Sequence, residues 1–424
     1  MRRSELFTKT RREAPADETT RDAQLLIRAG FIHKEMAGLY SYLPLGRRVL
    51  EAVIQIIREE MDAVGGQELT LSSLQPQELW EKSGRWHDEE VDIWFKTRLH
   101  GKEGWHRGPE LGLANTHEET LTALMKGFIS SYKDLPIYTY QFQTKFRNEP
   151  RAKSGLLRCR EFIMKDLYSF CRDQTEHDAF YKKAEEAYRR VFERVGLGDS
   201  TYLTFASGGS FAKFSHEFQT VTDVGEDTIF VHEAKKLAIN QEVMNDETLA
   251  MLGIKKQELV EKKAVEVGNI FTLGTRFSEA LGLNFVDQTG QPRPVFMGSY
   301  GIGPGRLIGT IVEHFADDKG LIWPEAVAPF RVYLVRLGDS TQVRAEADKI
   351  YQRLIDSGTA VLYDDRDGVS AGEMFADADL MGMPHRLVIS QQTIEAGAYE
   401  LKGRSASETG MVSFEELHKT LGNT

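Results

Sequence analysis

The chain has 424 residues, of which 53 are basic and 64 acidic, for a formal charge of −11. That length holds two or three domains with cores of their own, and the acidic balance argues against a protein that coats nucleic acid over its whole surface. No apolar run approaches a membrane span. The polar opening Met1-Arg2-Arg3-Ser4 lacks the apolar stretch of a secretory signal, and Cys159 and Cys171 form neither a metal-ligand spacing nor a disulfide framework, so a cytoplasmic protein with no membrane attachment is expected.

Val49, Val53, Ile56, Ile57, Met61 and Val64 recur at helical spacing and predict a helix over 46–66, ended by Gly65-Gly66. Thr116-x-Glu118 reads, on its own, as a helix cap. Two aromatic and aliphatic runs, Tyr138–Arg147 and Arg160–Phe170, predict strands joined by a loop over Pro150–Leu157. Strand alternation then puts Arg158, Arg160, Phe162 and Asp166 on one face, and aligns Arg147 with Glu149. A guanidinium fork suits phosphate, and a ring on the same surface suits a base. From Lys145 to Arg172 eight basic residues meet three acids, a local basic surface in an acidic chain. A second amphipathic helix is expected over 175–196.

His117-Glu118, His216-Glu217 and His232-Glu233 each lack a second histidine four residues on, which excludes a zinc-protease helix. Gly301-Ile302-Gly303-Pro304-Gly305-Arg306 precedes an apolar run. No Gly-Lys-Ser/Thr follows, so it is not a phosphate loop; Arg306 at a helix start favours an anion there. The elements to this point come in mixed order, predicting an α+β fold with a largely antiparallel sheet. Beyond Trp323, Pro324 and Pro329 bracket a linker. Strands at Val332–Val335, Val361–Tyr363 and Leu387–Ile389 then alternate with a helix over Gln342–Ser357 and helices opened by Ser370-x-x-Glu373 and Ser413-x-x-Glu416. That order is a small α/β domain with parallel pairs.

Phe146-Arg147-Asn148-Glu149, the loop and Arg158-x3-Phe162-x3-Asp166 resemble motif 2 of class II aminoacyl-tRNA synthetases, and the Gly-x-Gly-x-Gly-Arg segment resembles their motif 3. Gly38–Gly46, Leu79–Trp86, Thr116–Glu119, Arg160–Phe170 and Ser215–Gln219 are similar to bacterial-type prolyl-tRNA synthetases, and the likeness runs from about Leu25 to Leu421. It implies a class II catalytic domain over 1–328 and an anticodon-binding domain over 329–424. The implied reaction is ATP-dependent ligation of L-proline to tRNA(Pro) through prolyl-adenylate, by a homodimer using Mg²⁺. Arg147 and Arg306 are the implied catalytic residues. Glu149, Arg158, Phe162, Glu217 and Gln219 join them around ATP, with Phe162 stacking on adenine and Glu217 as Mg²⁺ ligand. Thr116, Glu118, Arg147, Met164, Asp166, Tyr168, His216 and Ser299 are implied for proline; Arg151, Arg366, Lys402 and Arg404 for tRNA.

Three positions depart from the family pattern: Ser72 stands for the motif 1 proline, Asn115 for a proline before Thr116, and Ser299 for a common cysteine. Between Phe230–Ala238 and Val267–Leu281 roughly 25 residues remain, fewer than the ~50 a domain needs, with Met251–Lys263 reading as a polar helix or hairpin cap. The editing domain is therefore expected to be missing, leaving a residual insertion over about 239–266 and a need for a separate trans-acting deacylase. Two alternatives stay open: another class II specificity (threonine, histidine or glycine), opposed by Thr116-x-Glu118 and Ser215-His216-Glu217-Phe218; and a paralogue serving as a tRNA-binding or regulatory module, opposed by intact Arg147, Phe162 and Arg306.

Overall fold

A computed structural model describes residues 1–89, 91–100, 108–150, 152, 154–207 and 214–421. The chain forms two compact units, one comprising residues 37–39 and 54–310, the other 1–36, 40–53 and 311–424.

The first unit is built on nine strands: β1 (Gln67–Glu68), β2 (Ile137–Phe146), β3 (Glu161–Cys171), β4 (Thr201–Ser207), β5 (Phe214–Val221), β6 (Asp227–His232), β7 (Leu237–Asn240), β8 (Val260–Gly274) and β9 (Phe296–Ile302). Their order is β5-β4-β7-β6-β8-β9-β3-β2-β1. Neighbours are antiparallel except β7 with β4 and β1 with β2. The long β8 pairs with β6 through Val260–Ala264 and with β5 through Ala264–Ile270, closing five strands into a ring around Tyr202, Ile229, Val231, Ala238 and Ala264. The expected antiparallel α+β core is thus present, and β2 and β3 fall within a residue of their predicted bounds.

The helix Gln174–Arg194 covers one face of this sheet. Its N-cap Asp173 accepts from Glu176 N, and Phe180, Ala184, Ala187, Tyr188, Val191 and Phe192 form its buried stripe. The rings of Tyr188 and Phe192 meet Phe218 of β5, and Phe180 meets Tyr300 of β9. Odd residues of β3 and even residues of β5 and β9 therefore face the helix. Their alternates face the opposite side, which carries the cavities described below.

The segment 241–259 holds only the helix Asp246–Leu252 and short 3-10 turns, around a small core of Ile239, Leu249 and Ile254. The expected cap over Met251–Lys263 is shifted: the helix ends at Leu252, and Val260–Lys263 belong to β8, where they pair with β6.

In the second unit β10 (Val332–Leu337) lies parallel to both β11 (Val361–Asp364) and β12 (His385–Ser390). Two strands that escaped the sequence reading, β13 (Tyr399–Gly403) and β14 (Gly410–Val412), extend it antiparallel. Helices Thr341–Asp356 and Phe414–Leu421 supply Ala347, Ile350, Leu354, Leu417 and Leu421 to its core. Ser413 and Glu416 make the reciprocal cap. The outer edge of β11 is covered by the first residues of the chain. Arg3 N donates to Tyr363 O at 2.7 Å, Tyr363 N donates to Met1 O at 2.9 Å, and Arg2 pairs with Asp348 and Asp365. Phe31 stacks on Trp323, whose indole N–H donates to Met381 O. The bracketed linker is thus packed into the unit rather than free.

Candidate active site

Two cavities adjoin on the open face of the nine-stranded sheet. The first, about 580 Å³, is lined by Arg147, Glu149, Arg158, Phe162, Glu266 and Arg306. The second, about 730 Å³, is lined by Arg85, Thr116, Glu118, Asp166, Tyr168 and Ser299. Arg147, Met164, Asn269 and Gly301 belong to both.

Even residues of β3 point into this face, so Phe162 and Met164 line the first cavity, and Met164, Asp166 and Tyr168 the second. The Arg147 guanidinium lies 5.4 Å from the Phe162 ring centroid and is held by an Nε bond to Asn115 O at 3.2 Å. Arg306, in the first turn of the helix Pro304–Phe315, donates from Nε to Leu157 O and from Nη1 to Glu266 O, each at 2.8 Å. Arg158 pairs with Glu149 at 3.4 Å and Glu226 at 3.1 Å. Three guanidiniums thus converge on one pocket wall beside an aromatic ring. Gly301 completes the wall because it has no side chain: a Cβ there would stand 2.8 Å from Asn269 Oδ1.

Arg160 does not share the face of Phe162. The strand begins only at Glu161, so alternation does not govern Arg160, which donates instead to Ala37 O and Glu149 O. His216 is likewise displaced. The alternation that puts Glu217 on the open face sends His216 to the helix side, where its Nδ1 is 2.8 Å from Tyr181 Oη.

Glu217 and Gln219 sit on the open face with Asp227. Gln219 Nε2 donates to Glu217 Oε2 at 2.8 Å and to Asp227 Oδ2 at 2.9 Å, while its buried Oε1 has no hydrogen-bond partner among the described residues. Burial and the nearby Glu266 push the Glu217 carboxyl up to about 8. No group of three or more acidic, histidine or cysteine side chains among the described residues is arranged to hold a metal by itself. The donor set fits a hard cation held by one or two carboxylates together with substrate phosphates, as Mg²⁺ prefers.

In the second cavity Thr116 Oγ1 donates to Glu118 Oε2 at 2.6 Å, and Glu118 opens the helix Glu118–Met125, where a carboxylate is favoured by the helix dipole. Arg85 Nη1 lies 3.5 Å from Glu118 and 3.0 Å from the fully buried Glu119, whose carboxyl is pushed up to about 7 by burial against the opposing pull of Arg85. The cavity therefore carries the carboxylates of Glu118 and Asp166, which suit an ammonium, and two guanidiniums: Arg85, already paired with Glu118 and Glu119, and Arg147, which suits a carboxylate.

The family description "tRNA synthetase class II core domain (G, H, P, S and T)" matches residues 101–315, and that of the anticodon-binding domain matches residues 331–424. A proline–tRNA ligase of Agrobacterium fabrum is 38% identical over 452 residues, spanning 100% of both chains. The chain belongs to the proline–tRNA ligase family. A relative from Geobacillus is 32% identical over an alignment of 571 residues that spans 99% of each chain, so that proline–tRNA ligase carries segments this shorter chain lacks. The fold matches the solved prolyl-tRNA synthetase of Cryptosporidium parvum complexed with halofuginone and AMPPNP, at a TM-score of 0.77 and 17% identity, over 94% of this chain and 75% of that one. It also matches the Giardia lamblia enzyme in complex with prolyl-adenylate, at 0.76 and 18%, over 93% and 74%.

Of the residues expected from the proline–tRNA ligase resemblance to meet tRNA, Arg151 lies outside the described residues. Arg366 pairs with Asp364 and Asp377, each at 2.7–2.8 Å, and Arg404 pairs with Asp317 at 2.6 Å. Both guanidiniums are engaged within the fold. Lys402 is half-buried on β13. Residues that sequence reasoning missed are Arg85, Asn269, Phe271 and Glu266. The last three lie on β8, which was not read as a strand; a register shift opposite Phe218 and Gln219 skips Val267, so Glu266 and Asn269 reach the site although simple alternation would separate them.

Proposed function

We propose that this proline–tRNA ligase activates L-proline with ATP and transfers it to tRNA(Pro), with the nucleotide in the first cavity and the amino acid in the second. The carrying observation is that Arg147 lines both cavities. At that junction an amino-acid carboxylate meets the α-phosphate. One carboxylate oxygen attacks the α-phosphorus, the bond to the bridging oxygen breaks, and pyrophosphate leaves. A hydroxyl of the tRNA terminal adenosine then attacks the acyl carbon and AMP leaves. No side chain acts as nucleophile; the chain positions the reactants and stabilises charge through Arg147 and Arg306. Phe162 stacks on adenine and Glu149 orients Arg158. Thr116, Glu118 and Asp166 take the imino-acid ammonium. Mg²⁺, held by Glu217 and phosphate oxygens, would neutralise charge on the leaving pyrophosphate.

Ser299 borders the ring pocket, and Lys402 is the best placed of the expected tRNA contacts among the described residues. The reading carries with it a homodimer, a cytoplasmic location and clearance of alanyl-tRNA(Pro) by a separate deacylase. Among the described residues no helix is long and apolar enough to cross a membrane. Pyrophosphate exchange over the twenty amino acids tests the reading: proline-dependent exchange is expected, and exchange driven best by threonine, histidine or glycine refutes it. Light scattering near twice 48.0 kDa supports the dimer, and a stable monomer at that mass counts against it.

A further inference from the structure

Beneath the second cavity lies a cluster of charge that neither ligand pocket accounts for. Lys145 and His117 are fully buried and line neither cavity. Lys145 Nζ stands 2.9 Å from Asp166 Oδ1 and 2.5 Å from His117 Nδ1. An ammonium only donates, so Nδ1 accepts and the ring proton sits on Nε2, which lies 3.0 Å from Ser72 O. His117 is also the N-cap residue of the helix Glu118–Met125, yet its side chain makes no cap bond there. The imidazole is committed elsewhere.

A buried ammonium is costly, and apolar packing often replaces a buried ion pair without loss of stability. The rest of the cluster gives this one a use. The other oxygen of Asp166 accepts from Gln141 Nε2 and from Tyr168 Oη, each at 3.0 Å. Tyr168 Oη accepts from His117 N at 3.3 Å and lies 3.5 Å from Thr116 Oγ1, which donates to Glu118. A continuous polar chain therefore runs from the Ser72 carbonyl through His117, Lys145, Asp166 and Tyr168 to the Thr116–Glu118 pair. It uses the backbone oxygen of residue 72, so it does not depend on which side chain stands there.

We propose that Lys145 and His117 are positioning residues for the amino-acid pocket. They hold Asp166 as an oriented carboxylate, and through Tyr168 they fix Thr116 and Glu118 where an imino-acid ammonium must be met. The inference rests on the second cavity being the proline pocket.

Pyrophosphate exchange with proline and ATP varied in turn tests it. Lys145→Met is expected to raise the proline KM about 10- to 100-fold, as misplacement of a binding group does, and to leave the ATP KM within about twofold. Tyr168→Phe removes one hydroxyl and no charge, and should give the same asymmetry. In the double variant the two effects should not add, because both break one chain. If Lys145→Met does not fold, His117→Gln takes its place in the cycle. An unchanged proline KM in the single variants, a parallel rise in both KM values, or full additivity overturns the proposal. Glu118→Gln tests the underlying reading separately: an unchanged proline KM there means that the cavity is not the amino-acid pocket, whatever the other variants do.

Discussion

Replacing Arg147 by alanine is the sharpest perturbation of the proposed mechanism. Its Nε is spent on Asn115 O, and no hydrogen bond ties either Nη among the described residues. The two terminal nitrogens are therefore free to hold a carboxylate on one side and a phosphate on the other. Each charge-assisted hydrogen bond contributes about 1.5–3 kcal/mol, and loss of a donor aimed at a developing anion costs about 3–4 kcal/mol. Arg147→Ala should thus lower the rate of proline-dependent pyrophosphate exchange by about 10²–10³. Arg147→Lys keeps a point charge but loses the fork, the anchor to Asn115 and the guanidinium over Phe162, so it should recover only part of that rate. Circular dichroism would confirm that both variants fold. Exchange within about threefold of wild type in Arg147→Ala would refute the assignment of the junction.

Phe162→Ala should raise the ATP KM by about tenfold, since stacking on a base contributes about 1–3 kcal/mol, and leave the proline KM in place; a change confined to proline would show that the ring belongs to the other pocket. Burial and Lys145 hold the His117 imidazole down to about 4. The unfolded chain takes up a proton near pH 6.5 and the folded one does not, so stability from this group is present at neutral pH and lost as pH falls towards 4. Between pH 7 and 5 the stability gap between wild type and His117→Gln, measured by urea unfolding, should shrink by about 2 kcal/mol; a constant gap contradicts the neutral ring. Preformed alanyl-tRNA(Pro) should decay at its spontaneous rate in the presence of this chain, because the segment 241–259 holds no more than one short helix and turns. Enzyme-dependent hydrolysis would mean that a hydrolytic site lies elsewhere.

Aromatic runs and strand alternation made Phe162, Met164, Asp166 and Tyr168 legible as one face. Helical stripes did the same for the Gln174–Arg194 helix. The reading failed where a local rule met a boundary or a hidden partner. Arg160 precedes the strand, so its alternation means nothing. His216 obeys alternation, but which face of β5 bears ligand depends on where the helix packs, and that is a tertiary fact. Lys145 reads as an exposed strand lysine, because its burial is decided by Asp166 on the neighbouring strand. β13 and β14 escaped because Tyr399–Gly403 and Gly410–Val412 are short, half-polar segments without a strong apolar alternation.

The make-up of the second unit bears on how the chain is made. Residues 1–36 share their unit with residues 40–53, but the rest of their packing partners lie beyond residue 310, among them β11, whose edge the first residues cover. A ribosome adding about 5–20 residues per second needs on the order of ten to fifty seconds to supply those partners. During that interval the amphipathic helix Arg21–Arg28, with Ala23, Leu25, Leu26 and Ile27 on its inner side, waits without the part of its unit that lies beyond residue 310. The intervening unit, local to residues 54–310 apart from a three-residue graft, can fold meanwhile. Synthesis order therefore sets folding order, middle before ends, and the early segment is the stretch a chaperone would have most reason to hold.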